Sequence, residues 1–348
     1  MFNNIRKLLA ESSPGLRRRL VSIYAVLAVL NIGSWIWAFV AFRDNPGLLG
    51  VALVVYGLGL RHAVDADHIA AIDNVTRKLM QDGQRPVSVG FFFAMGHSFI
   101  VILGVVVVTA LSGAVGNWQG MHDIGSTVST IFSVFFLFAI AAMNLAILWG
   151  IYQSYRQLRL GKSYAEEDLD LLLNKRGFVA RIFRPIFKLV TKSWHMFPVG
   201  FLFGLGFDTA SEIAAFGLAA SQAAKGLPIG TVLVLPVLFG AGMSLVDTTD
   251  GVMMLGAYNW AFLDPARKLF YNMTITLVSI VVAVLIGGIE ALGVIADQLS
   301  LKGTFWEAVG TLNDNFGVVG FIIVAVFAVA WVVSYLFYRA KALEHMPS

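Results

Sequence analysis

The segment Arg61-His62-Ala63-Val64-Asp65-Ala66-Asp67-His68-Ile69 places two imidazoles and two carboxylates within seven residues. Further polar groups interrupt otherwise apolar stretches at Asn31, at His97, at Asp208 and Glu212 (four apart), and at Asp247 and Asp250 (three apart). Asp65, Asp67, Asp208, Glu212, Asp247 and Asp250 are six acids set against one arginine, Arg61, so the environment they build suits a cation. Na⁺, K⁺, Mg²⁺ and Ca²⁺ prefer oxygen ligands, whereas imidazoles paired with carboxylates suit Ni²⁺, Co²⁺, Zn²⁺ or Cu²⁺. The chain has no cysteine, which excludes thiolate zinc sites, cysteine nucleophiles and disulfides. The residues themselves therefore indicate a transition-metal transporter. His62, Asp65, Asp67 and His68 are the candidate metal ligands, and His97, Asp208, Glu212, Asp247 and Asp250 are candidate path or supporting groups.

Spacing sets a geometric condition on that reading. On a regular helix His62, Asp65 and His68 share an arc of about 120°, while Asp67 projects from the other side. All four reach one ion only if the helix is distorted, and Gly57 and Gly59 stand just before them. The plainer alternative is charge neutralisation, for instance of Arg61 by an aspartate. At 1.5 Å per residue, His62 comes out about 15 Å, His68 about 6 Å and His97 about 12 Å from the cytoplasmic edge of their spans, and Asn31 about 16 Å. Those levels overlap.

The elements that must position these groups follow from composition. Of 348 residues, 58% are hydrophobic and only 13% charged, with 27 Phe, and mean hydropathy is +0.77. Soluble domains carry about 25% charge, so the bilayer is the expected solvent. A soluble enzyme and a nucleic-acid-binding chain are both excluded, since the net charge of +4 is scattered through an apolar background. A helix needs about 20 apolar residues to cross the hydrocarbon. Eight stretches qualify: Leu20–Phe42, Leu48 to about Ile72, Val87–Met121, Ile124–Tyr155, Phe197–Ala220, Ile229–Tyr258, Leu269–Ile289 and Asn315–Tyr338. With both termini cytoplasmic, 21 of the 25 Lys and Arg residues fall on the cytoplasmic side. The expected fold is thus an all-α polytopic membrane protein of eight transmembrane helices, one transporter domain over residues 1–348, in the cytoplasmic (inner) membrane. A cytoplasmic loop at residues 152–193 joins spans four and five. Within it Gly161-Lys162-Ser163 ends like a phosphate-binding loop, but Arg156 stands where that motif needs glycine. No ATPase is encoded here and no ATPase subunit is evident from the sequence, so any pumping must use an ion gradient or another subunit.

Four segments in order resemble the signatures of the nickel/cobalt transporter family (NiCoT): Arg61 to Ile69, Phe93-Ala94-Met95-Gly96-His97-Ser98, Leu205-Gly206-Phe207-Asp208-Thr209-Ala210-Ser211-Glu212, and Gly242-Met243-Ser244-Leu245-Val246-Asp247-Thr248-Thr249-Asp250. Ala94, Met95 and Phe99 depart from the pattern around the second signature without touching His97. The resemblance implies an eight-helix permease with high-affinity uptake of Ni²⁺, and Co²⁺ as a possible second substrate. It also implies that His62, Asp67 and His68 are needed for transport and that Asn31 and Val64 tune selectivity. The metal is the transported substrate and no cofactor is implied; the partners are the cation and the lipid bilayer.

Two rival classes share the site. An intramembrane His/carboxylate metalloenzyme is disfavoured because only three of the six histidines lie in membrane spans, too few for a di-iron cluster, and no H-E-x-x-H motif occurs. A metal-gated channel would not saturate at low metal concentration. Finally, Gly57-Leu58-Gly59-Leu60 with His68-Ile69-Ala70-Ala71 echoes Gly204-Leu205-Gly206-Phe207 with Glu212-Ile213-Ala214-Ala215. Spans two and three would then relate to spans five and six as an inverted repeat.

Overall fold

The computed structural model describes residues 14–110, 130–142, 190–205, 210–261 and 265–316, with scattered positions in 144–152 and 318–329. In chain order its helices are α1 (Pro14–Ala41), α2 (Gly47–His62), α3 (Ala66–Gln81), α4 (Val89–Ala110), α5 (Thr130–Ala142), α6 (Met196–Phe203), α7 (Ala210–Ala224), the single turn α8 (Ile229–Val232), α9 (Val234–Ala261), α10 (Pro265–Gln298) and α11 (Thr304–Asp314). No strand occurs among the described residues. Four of the helical runs are long and apolar enough to cross a membrane, and the pair α2 and α3, bent by 51° at a short break, makes a fifth. Among the described residues the regular structure is therefore all helical, as in a multi-pass membrane protein.

The second span is broken between His62 and Ala66, a distortion of the kind that the spacing of its four polar groups required. Val64 N–H bonds the Arg61 carbonyl at 3.0 Å and Asp65 N–H bonds the His62 carbonyl at 2.8 Å, a tightened turn that closes α2. Asp65 then adopts an extended conformation (φ −64°, ψ 146°) and α3 begins at Ala66. His62 and His68 therefore sit on separate helices, and the shared arc does not exist. Gly57 lies within α2, ahead of the break, and a Cβ there would meet nothing within 4 Å. Gly59 serves packing: a Cβ there would lie 2.1 Å from the Phe239 carbonyl oxygen of α9.

Helix α9 is the centre of the bundle, packed by α1, α2, α3, α4, α7 and α10. In lipid, helix association rests on close van der Waals contact, which small residues permit. The α4 and α6 crossing shows this from both sides, with Gly96 against the Phe197 carbonyl and Gly200 against the Phe93 carbonyl. The second span also runs further than its apolar stretch, since α3 continues past Ile72 to Gln81 and stays buried through Asp73, Asn74, Arg77 and Lys78. Each of those residues has at least one partner inside the protein, although Arg77 Nε and Nη1 have none among the described residues. Ser279 of α10 donates to Asp73 at 2.8 Å, Asn144 donates to Asn74 at 2.5 Å, Arg77 donates to Asn74 at 3.2 Å, and Lys78 donates to the Val190 carbonyl. The stretch Phe197–Ala220, interrupted in sequence by Asp208 and Glu212, carries α6 and α7, with residues 206–209 between them outside the described residues. Helix α11, which follows α10, was not expected.

Candidate metal centre

Three elements deliver the imidazoles. His62 is the last residue of α2, His68 lies in the first turn of α3, and His97 lies within α4. All three are buried. One nitrogen from each ring lies within 4.8 Å of the others, and the ring centroids are 4.5 Å (His62 and His68), 4.9 Å (His62 and His97) and 5.0 Å (His68 and His97) apart. The walls are apolar: Phe93 meets His68 edge-on at 4.7 Å, and Phe239 lies 5.5 Å from His62.

Carboxylates hold the rings from outside. Asp65 Oδ2 is 2.7 Å from His62 Nδ1, and both carboxylate oxygens of Asp247 are 3.3 Å from His68 Nδ1. A proton on each Nδ1, donated to its carboxylate, leaves Nε2 of both rings with its lone pair, the ligand form of histidine. His68 Nε2 is enclosed and has no hydrogen-bond partner among the described residues. His62 Nε2 points at His97 Nε2, 3.1 Å away. His97 Nε2 is also 2.6 Å from Glu212 Oε1, which lies 3.8 Å from His62 Nε2. Glu212, fully buried in the first turn of α7, thus reaches the same space as the three rings.

The other candidates are distributed around this centre. Asp67 interacts electrostatically with His62 and His68, and its Oδ1 is enclosed without a partner. Asp65 lies on the outer side of His62 and is also 3.8 Å from Arg61, so the neutralising contact foreseen as an alternative coexists with the His contact. Asp250 is buried one turn along α9 from Asp247, with Oδ2 unpartnered. Asn31 is not at the centre: it accepts a hydrogen bond from the Tyr56 hydroxyl of α2 at 3.0 Å and donates to the Leu27 carbonyl at 2.9 Å. Val64 occupies the break itself, and a Cβ on Gly320 would fall 1.7 Å from its carbonyl oxygen. Asp208 lies outside the described residues. Sequence reasoning missed Asp73, Ser279 and Tyr56. Asp73 follows His68 by five positions in an apolar run and carried the same signal as the acids that were noticed.

A bundle of apolar helices closed around buried imidazoles and carboxylates defines a membrane protein that handles a cation. The family described as high-affinity nickel-transport protein (NicO) matches residues 48–337, and the chain belongs to it. A high-affinity nickel transport protein of Cupriavidus necator is 53% identical over 345 residues, covering 99% of this chain and 98% of that one. The high-affinity nickel-transport protein NixA of Helicobacter pylori strain 26695 is 41% identical over 321 residues, covering 90% and 96% of the two chains. The cobalt transport protein NhlF of Rhodococcus rhodochrous is 39% identical over 333 residues, covering 93% and 94%. No solved structure matches the chain. The family and these relatives are transporters, so the chain is a transporter and not an enzyme.

Proposed function

We propose that this protein is a secondary permease that takes up Ni²⁺, with Co²⁺ as a second substrate, through the centre where α2, α3, α4 and α7 meet. The convergence of three buried imidazoles, with His68 Nε2 left partnerless, is the observation that carries the reading. Ni²⁺ is held by Nε2 of His62 and His68, with His97, Glu212 and Asp67 completing the shell. Asp65 and Asp247 orient the rings, and Asp250 lies on the way out. Outer carboxylates of this kind typically hold metal affinity up by about 10- to 100-fold. Asn31 and Val64 act on selectivity from outside the shell, Asn31 through Tyr56 and Val64 through the shape of the break.

The same proposal places the chain in the cytoplasmic membrane as one domain of eight spans, with both termini and the 152–193 loop in the cytoplasm. Packing supports an inverted repeat: span two lies along span six (α2 on α9), and span five lies along span three (α6 on α4). Exchanging two with five and three with six converts one pair into the other.

Uptake of radioactive nickel by cells producing His62→Ala or His68→Ala is the direct test. Both variants are expected to accumulate no more than cells lacking the protein. Wild-type accumulation in both, at equal protein level, overturns the assignment.

A further inference from the structure

At the end of the bundle where α1 and α4 begin, a crevice of about 690 Å³ opens between them. Its rim carries Arg18, Arg19 and Arg85 with the hydroxyls of Ser22, Ser88 and Ser193. Its walls further in are Ile23, Val26, Phe91 and Phe92. None of the three arginines has an acidic partner among the described residues, whereas Arg43, at the far end of α1, is paired with Asp44 at 3.3 Å. Leu16, Val87 and Leu255 form a buried apolar cluster beside the crevice.

Both helices run from the arginine rim into the apolar zone. Arg19 to Val26 spans about 10 Å of α1, the thickness of a headgroup layer and the start of the hydrocarbon. Polarity therefore changes with depth in the crevice as it does along a phospholipid. Guanidinium groups bind phosphate oxygens through paired charge-assisted hydrogen bonds, and basic pockets between membrane helices select acidic headgroups. We propose that this crevice is a binding site for an anionic phospholipid, its phosphate held by Arg18, Arg19 and Arg85, its glycerol region by the serine hydroxyls, and an acyl chain lying along Ile23, Val26, Phe91 and Phe92. The lipid joins span one, span three and the approach to span five at Ser193.

The test uses purified full-length protein in phosphatidylcholine nanodiscs with and without phosphatidylglycerol. Phosphatidylglycerol is expected to raise the unfolding temperature of the wild type and of Arg43→Gln, and the combined R18Q, R19Q, R85Q variant is expected to lose most of that rise. An equal rise in the triple variant overturns the site. An equal rise produced by inorganic phosphate in phosphatidylcholine also overturns it, because the site is then one for a free anion. Native mass spectrometry of the wild type is independent of whether the triple variant folds: several-fold preferential retention of phosphatidylglycerol is expected, and equal retention of both lipids overturns the proposal.

Discussion

His68 and Asp247 lie 179 positions apart in the chain, yet the imidazole Nδ1 meets both carboxylate oxygens at 3.3 Å. That contact fixes the ring and its tautomer together. Removing the carboxylate by Asp247→Ala is expected to raise the nickel concentration for half-maximal uptake by about 10- to 100-fold, the usual cost of losing such a partner. Asp247→Asn keeps an acceptor oxygen and is expected to lose less. A concentration series of radioactive nickel uptake, normalised to membrane protein level, measures both.

His97 and Glu212 share one short contact, 2.6 Å from Nε2 to Oε1, and both face His62. Residues linked in this way act as a unit, with coupling energies of about 0.5–3 kcal/mol. His97→Ala and Glu212→Ala are each expected to depress nickel binding, and the double variant is expected to be hardly worse than the weaker single. Equilibrium dialysis on purified protein completes the cycle. Full additivity would show that the two side chains act separately.

Gly59 and Gly57 differ by two positions and are expected to differ sharply in tolerance. Alanine at Gly59 drives a methyl into the Phe239 carbonyl, whereas alanine at Gly57 meets nothing within 4 Å. Overpacking of this kind costs about 1–3 kcal/mol, so Gly59→Ala is expected to lower the unfolding temperature and Gly57→Ala to leave it close to wild type. A thermal melt in detergent distinguishes the two. Gly320→Ala, pressed against the Val64 carbonyl, is expected to behave like Gly59→Ala and to reduce uptake as well.

Tyr56 is the link between Asn31 and the second span. Tyr56→Phe removes the hydroxyl that donates to Asn31 while keeping the ring that packs against Trp35 at 5.4 Å. Its ratio of nickel to cobalt uptake is expected to shift in the same direction as that of Asn31→Ala. Competition between the two metals during uptake reads this out, and an unchanged ratio in Tyr56→Phe would detach Asn31 from the mechanism.

The cluster from His62 to His68 was legible because ligand-type residues crowd a short apolar run, and approximate depth placed His97 beside it. How those candidate ligands are arranged around the rings was not legible. Asp65 and Asp247 turned out to face Nδ1 atoms from outside, a distinction that depends on backbone direction at Asp65 and on a contact between distant helices. A distortion of the second span was the stated condition for its four polar groups to meet, but where it falls was not legible. Gly57 and Gly59 stood out beside the cluster, yet the chain turns at Ala63 to Asp65, and Gly59 serves the closeness of α9. Charges were taken to end the second span near Ile72, but α3 buries Asp73, Asn74, Arg77 and Lys78 against partners on other segments.

The bend of 51° between α2 and α3 gives the metal centre the form of a caliper. His62 is the tip of one arm, which lies along α9, and His68 starts the other, which also lies against α10. The separation of the two imidazoles is thereby geared to the angle between the arms. Under the proposed function, a cation gripped by both rings would hold that angle and a change of angle would loosen the grip, making coordination and helix movement two readings of one mechanical coordinate.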